Sequence, residues 1–412
     1  MSIKYRLILM NFIQFFIWGS WLISLGGYMI ISLKFTGSEV GSIYATMGIA
    51  SLFMPSLMGI IADRWVNAER VLGFCHFIGS ILLFLAAQAN EYGAMYIIML
   101  LNSMFYMPTI ALNNSVSYAI LQKEEIDIVK HFPPIRVWGT VGFIAAMWFI
   151  DFGKWTLTPM QLFISSAASL LLAIYAFTLP ACVPANVRKA GSLLSTLGFD
   201  AFVLFKNRRM AIFFIFAMLL GAALQITNTF GEAFIHDFTE VYPTSFAVQH
   251  PSLLMSVSQI SETLFILTIP FFLKRFGIKT VMLMSIFAWV LRFGLFGFGN
   301  PDDGLGLLVL SMIIYGIAFD FFNISGSLFV RNEADKTILA SAQGVFMLMT
   351  NGIGAFIGGT LSGWVVDWFT TGGHRDWQSI WLTFAAYSLI LGIVFPFVFK
   401  YQHKEPAAGA HF

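Results

Sequence analysis

Charge is what this 412-residue chain has least of: Asp, Glu, Lys and Arg make up 11% of it, against about 25% in an ordinary soluble domain. With 58% hydrophobic residues and a mean hydropathy of +0.80, that scarcity excludes a water-soluble globular protein. Cysteine is nearly absent as well. Cys75 falls in an apolar segment and Cys182 in the central loop, which excludes a disulfide framework and a thiolate metal site. The seven histidines (76, 131, 236, 250, 374, 403 and 411) are scattered, with no pair at ligand spacing. No glycine-rich phosphate loop is present. Catalysis needs a metal set or a nucleophile–base pair, so no enzyme is expected, and no cofactor. The net charge is only +2, with the basic residues in short loops, so no nucleic-acid partner is expected. A cleavable signal peptide is not expected, because the first apolar stretch runs from Leu7 to about Leu33 and a signal core spans only 7–15 residues.

What the chain does have is apolar length. A hydrocarbon core about 30 Å thick needs roughly 20 helical residues. Twelve apolar stretches qualify, at about 6–33, 40–62, 71–89, 94–121, 132–151, 160–180, 210–236, 252–273, 279–298, 305–330, 338–368 and 377–399. They predict an all-α membrane protein of twelve transmembrane helices, here called spans one to twelve, with the lipid bilayer as a partner.

Lysine and arginine then set the expected orientation. With the amino terminus inside, 18 of the 23 basic residues fall in cytoplasmic termini and loops. They are Lys4, Arg6, Arg64, Arg70, Lys123 and Lys130; Arg188, Lys189, Lys206, Arg208 and Arg209; Lys274, Arg275 and Lys279; Arg331, Lys336, Lys400 and Lys404. Outer loops hold Lys34, Lys154 and Arg375. That asymmetry obeys the positive-inside rule and places both termini in the cytoplasm.

The longest connection divides the chain into residues 1–180, a cytoplasmic linker at 181–209 with a helix-compatible stretch Leu193–Phe205, and residues 210–412. Two six-helix bundles so joined resemble the major facilitator superfamily, whose cargo sits between the halves near mid-membrane. Gly59-Ile-Ile-Ala-Asp63-Arg64 lies in the loop after span two, where that superfamily carries a Gly-x-x-x-Asp-Arg gating motif. Its usual continuation is replaced by Val66-Asn67-Ala68-Glu69-Arg70, and an ordinary helix end with a surface ion pair is the plainer alternative.

Five ionisable residues lie inside apolar segments: Arg136, Glu232, Glu262, Arg292 and Asp320. A charge at membrane depth costs roughly 2.5–3.5 kcal/mol or more, so such residues are kept for pairing, cargo binding or proton relay. Helical spacing puts Arg136, Thr140 and Phe143 on one stripe of span five, Gln225 and Asn228 on span seven, and Gln259 and Glu262 on span eight. Tyr315 and Phe319 share a face of span ten, with Asp320 beside them. At about 1.5 Å per residue, Glu262 comes close to the midplane. Each polar residue has a plainer reading. Amides can be interhelical glue, Arg136 could snorkel from a helix start at Pro133-Pro134, Glu232 is expected to reach water, and Arg292 could pair with Asp320.

Amides and carboxylates recognise hydroxyls and heterocycle edges, and aromatic rings stack on planar bases. One arginine among acids does not suit a strongly anionic ligand. A neutral, partly aromatic solute fits best, with a sugar as the alternative cargo, and carboxylates that can take a proton suit proton coupling.

The stretches Phe16-Ile-Trp-Gly-Ser-Trp21, Phe132-Pro-Pro-Ile-Arg-Val-Trp-Gly-Thr140, Leu224-Gln-Ile-Thr-Asn228, Ser258-Gln-Ile-Ser-Glu-Thr-Leu-Phe-Ile-Leu-Thr-Ile-Pro270 and Ala318-Phe-Asp-Phe-Phe-Asn-Ile-Ser-Gly326 resemble the bacterial nucleoside:proton symporter family, the nucleoside and xanthosine permeases. The likeness covers almost the whole chain. It implies proton-coupled import of purine and pyrimidine nucleosides by alternating access across a bacterial inner membrane, by a monomer, with the proton as coupling ion. It also implies a nucleoside pocket of Arg136, Thr140, Phe143, Gln225, Asn228, Gln259, Glu262, Tyr315 and Phe319, with Glu262 and Asp320 as the candidates for proton coupling. The loop around Glu232 and the segment Asp237–Val248 depart from the family's pattern.

Overall fold

The structure, a computed structural model, describes residues 2–184, 199–335 and 338–401. Among them, nine helices are long and apolar enough to cross a membrane. The other three predicted spans are short or interrupted. Span six is Met160–Ala176. Span one is Ile3–Gly19, then a break, then Leu25–Gly27 and a π-helical turn Tyr28–Ser32. Span eight is Pro251–Met255 followed by Val257–Ile266, and it runs on into Ile269–Phe298, which bends at Gly277. Gly277 has φ 73°, a conformation open to glycine and costly for other residues, so spans eight and nine meet where the sequence places their boundary. Span eleven also changes pitch, through a π-helical turn at Leu348–Gly354. All twelve apolar segments are thus helical, and large apolar side chains such as Leu267, Phe397 and Trp368 lie exposed on the outside, where lipid meets them. Of the basic residues used for orientation, Arg188, Lys189, Lys336 and Lys404 lie outside the described residues, as does Leu193 through 198 of the expected linker helix. The remainder is a 3₁₀ helix, Phe199–Lys206.

Sequence-local chemistry starts several helices. Thr36 and Glu39 form a reciprocal capping box at the head of Gly37–Arg64 (3.2 and 2.8 Å), which satisfies two otherwise orphaned amides. Asp127 caps Ile128–Phe152 by accepting from Val129 and Lys130. Asp376 caps Trp377–Val398, accepting from the Ser379 hydroxyl at 2.6 Å and the Ser379 amide at 3.1 Å. Those bonds hold the Asp376 carboxyl below its ordinary pKa of 3.8. A depressed folded-state pKa stabilises above the unfolded value and is lost as pH falls through the folded one. Asp376→Ala should therefore cost about 1 kcal/mol of stability at neutral pH, and the gap between wild type and variant should close in melts run below pH 3.8.

Spans one to six pack on one another, as do spans seven to twelve, and the main contacts that join the groups are span two with span eleven, the broken end of span one and span two with span seven, and span five with span eight. The first group has a polar core. His76 bridges Gln14 (2.7 Å) and Ser169 (3.2 Å), Gln14 donates to Thr109 (2.7 Å), and Asn113 donates to Asn11 (2.8 Å). These amides are the interhelical glue. Where the chain leaves span six, the amide of Cys182 donates to Glu69 at the head of span three (2.8 Å).

The break in span one has a specific patch. In an unbroken helix the amide of Gly26 would donate to the carbonyl of Leu22. Instead the hydroxyl of Tyr44 sits between them, donating to Leu22 at 2.6 Å and accepting from Gly26 at 3.1 Å.

Candidate functional site

The candidate site draws its residues from spans one and five on one side and spans seven, eight and ten on the other, with span one meeting span seven and span five meeting span eight. On span five, Arg136 lies with its guanidinium 4.1 Å from the centre of the Phe15 ring. It is half-buried, so it does not snorkel from the helix start; cation–π contact with span one holds it in the protein instead. Thr140 follows one turn later, half-buried, and Phe143 is buried. Phe143 meets Trp18 edge-on at 6.2 Å, and Trp18 in turn touches Tyr106 at 5.8 Å.

The other wall comes from the second half of the chain. Gln225, Asn228, Gln259 and Glu262 are all half-buried in mid-helix. Tyr315 and Phe319 stack in parallel, 5.7 Å apart and 3° from coplanar. Glu262 is in electrostatic reach of Arg136 on span five and of Tyr315 and Asp320 on span ten. The nine expected pocket residues lie on spans five, seven, eight and ten, and among them the structure brings Glu262 into electrostatic reach of Arg136 and Tyr315.

Several buried polar atoms of this region have no partner: Oε1 of Gln225, Oε1 of Gln259, Oδ2 of Asp320 and Nε1 of Trp18. Each orphaned polar atom costs about 1–3 kcal/mol, and each calls for an explanation such as a polar guest or an ordered water. Trp18 escaped the reading of the sequence because a tryptophan in an apolar segment is ordinary. Only its indole N–H, orphaned next to Phe143, marks it out.

Two expectations are corrected. Glu232 does not reach water. It is fully buried, accepting from Ser252 at 3.0 Å and lying 3.4 Å from His236, because the short helices Phe246–Gln249 and Pro251–Met255 fold over it. Nor does Arg292 pair with Asp320: among the described residues no cation lies within 4.0 Å of that carboxylate. Arg292 donates to the carbonyl of Ser311 (2.9 Å) and covers the Tyr315 ring at 4.6 Å, so it supports the aromatic wall and leaves Asp320 unpaired.

At one end the two groups of spans are bonded together. At the face away from the termini, Asp151 on span five accepts from the amide of Leu253 (2.8 Å) and meets His250 at 2.9 Å. Lys154 donates to the carbonyl of Gln249 (2.6 Å) and Trp148 to Ser256 (2.9 Å). Asp367 accepts from the amides of Gly37 and Ser38 (2.6 and 2.8 Å). Below this, spans two and eleven touch backbone to backbone through glycines 37, 41 and 48 against 363, 359 and 352. At the opposite face Gly59 has open space around it, Asp63 is exposed, and neither Asp63 nor Arg64 forms an ion pair among the described residues. Among the described residues the Asp63 and Arg64 side chains of the Gly-x-x-x-Asp-Arg motif are thus without an ion-pair partner.

Comparison with known proteins gives a consistent picture. A family described as "Nucleoside H+ symporter" matches residues 1–404. The xanthosine permease of Escherichia coli K12 is 58% identical over 406 residues, covering 98% of this chain and 97% of that one. The nucleoside permease NupG of the same organism is 54% identical over 412 residues, 99% of each chain. A crystal structure of the nucleoside transporter NupG superimposes with a TM-score of 0.93, covering 98% of this chain and 100% of that one. A peptide transporter of the POT family, 13% identical, shares the fold with a TM-score of 0.73.

Proposed function

The chain belongs to the nucleoside H+ symporter family, and on that premise we propose that one nucleoside binds in the gap between spans one and five and spans seven, eight and ten. The protein is an all-α, multi-pass membrane transporter that imports nucleosides together with protons, and not an enzyme. In our reading the halves are residues 1–180 and 210–412, joined by 181–209, and the face carrying the termini is cytoplasmic. The protein works as a monomer in a bacterial inner membrane. Both purine and pyrimidine nucleosides are cargo.

The observation that carries the site is the set of orphaned atoms on Trp18, Gln225, Gln259 and Asp320. Ribose hydroxyls and base edges would satisfy them, with the base stacked on Phe143 or Phe319, and the guest would sit beside Glu262 and Asp320, where proton and cargo can sense each other. The bonded face is the outer one, so the arrangement releases cargo to the cytoplasm.

Gln225→Leu should weaken uridine binding by roughly 3–10-fold, the loss of one neutral hydrogen bond. Titration calorimetry on the purified protein reads this directly. Free ribose should compete at least a hundredfold more weakly than uridine; equal competition would make the cargo a sugar and remove the role of the aromatic wall.

A further inference from the structure

At the bonded face, two neighbouring residues hold two acids from opposite halves of the chain. Leu253 donates its amide to Asp151 of span five (2.8 Å), and Ser252 donates its hydroxyl to Glu232 of span seven (3.0 Å). Asp151 also meets the half-buried His250, at 2.9 Å. Glu232 lies deeper. It is fully buried, and besides Ser252 it contacts His236, one turn along the same helix and also buried. Oε1 of Glu232 and Nε2 of His236 lie 3.4 Å apart, and neither atom makes a hydrogen bond.

The surroundings give this pair no counter-charge. The broken end of span one packs on the same stretch through glycines: a Cβ on Gly26 would overlap the Thr229 carbonyl oxygen, and one on Gly27 would stand 3.2 Å from the His236 ring. From other helices, Tyr44 of span two and Asp151 of span five are the titratable groups that act on Glu232, and neither brings positive charge. Among the described residues no lysine or arginine lies within 4.0 Å of it. With Glu232 ionised and His236 uncharged, the pair is a buried anion without compensation, a state heavily penalised away from water. One added proton, on either residue, makes the pair neutral overall.

We propose that Glu232 and His236 form an outer proton latch: this face shuts only after the pair has taken one proton from the water outside, and it reopens when that proton is lost. The proton passes from external water to Oε1 of Glu232 or Nε2 of His236 and returns the same way. Opening parts Leu253 from Asp151 and Ser252 from Glu232 together, because the two are adjacent in the chain, and so admits water to the pair. Glu232 is thus a positioning residue, acting on closure and not on cargo. The latch rests on the reading of this face as the outer one of a nucleoside transporter, and it makes enclosure of cargo wait for an external proton.

The shut form binds one proton more than the open form, so low pH favours shutting and high pH opening. Spin labels on Glu91→Cys and Asp303→Cys, exposed positions in outer loops of the two halves, report the separation by double electron–electron resonance; the native Cys75 and Cys182 are both buried. With no other change, the ratio of open to shut molecules should rise with pH, by up to about tenfold per pH unit. Glu232→Gln should remove that rise, and His236→Gln, which leaves a single proton acceptor, should move the transition to lower pH. A rise that survives Glu232→Gln would assign the switch to His250 and Asp151 and overturn the latch, as would a separation that ignores pH when Glu232 is present. If Glu232→Gln is not recovered folded, His236→Gln decides alone, and an unshifted midpoint is fatal. Calorimetry with uridine on the wild type judges the nucleoside reading separately, because the separations are measured without cargo.

Discussion

Glu262→Gln should leave a protein that binds nucleoside and no longer accumulates it. Gln keeps the size of the side chain and can still hydrogen bond to cargo, but it cannot exchange a proton. Glu262 is half-buried in the middle of span eight, and it interacts with Arg136 from the opposite half and with Tyr315 and Asp320 from the neighbouring span. A proton bound there would change the attraction between the halves at the proposed cargo position. One charge moving through 100 mV is worth about 2.3 kcal/mol, which sustains a roughly fifty-fold gradient. Wild-type vesicles with an imposed proton gradient should approach that ratio with labelled uridine, and an uncoupler should abolish it. The variant should stop at a ratio of about one, while exchange of internal for external uridine continues. If the variant still accumulates uridine, the coupling group lies elsewhere, and Asp320→Asn becomes the informative substitution, since its carboxylate carries an unpartnered oxygen in the same field.

The second large effect is steric. Gly41→Leu should cut transport at least tenfold without destroying uridine binding. Span two and span eleven meet through main chain alone at this depth: a Cβ on Gly41 would overlap the carbonyl oxygen of Gly359 and come within 3.1 Å of Gly363 Cα. Overpacking of this kind costs about 1–3 kcal/mol. Here the strain falls on one conformation, the one in which this face is shut, so the population shifts toward the open form by up to about a hundredfold. The variant should fold, bind from the outer side and fail to turn over. Normal uptake by Gly41→Leu would mean that closure of spans two and eleven forms no part of the cycle.

The architecture was largely legible in the sequence, because a bilayer imposes a single dominant length on apolar segments, and all twelve appear. The breaks in spans one, eight and eleven were not legible, since hydropathy does not distinguish a continuous helix from an interrupted one. Gly277 was the exception: it sits between Phe276 and Ile278, where the eighth and ninth stretches were already separated. Helical spacing grouped Arg136 with Thr140 and Gln259 with Glu262, because residues three and four apart share a face whatever the tertiary context. Glu232 was misread because distance from a helix end says nothing about what folds over that end, and residues 246–255 cover it. Arg292 and Asp320 sit on adjacent spans, but the sequence could not show that the Ser311 carbonyl and the Tyr315 ring would claim the guanidinium first.

The hydroxyl that bridges Leu22 and Gly26 is supplied by another helix, so span one is a jointed rod whose hinge is stiffened from outside by Tyr44. Losing that one oxygen would free two main-chain groups and slacken the joint without removing any of the proposed cargo-binding side chains. Turnover frequency, more than affinity, is therefore the property expected to change in Tyr44→Phe.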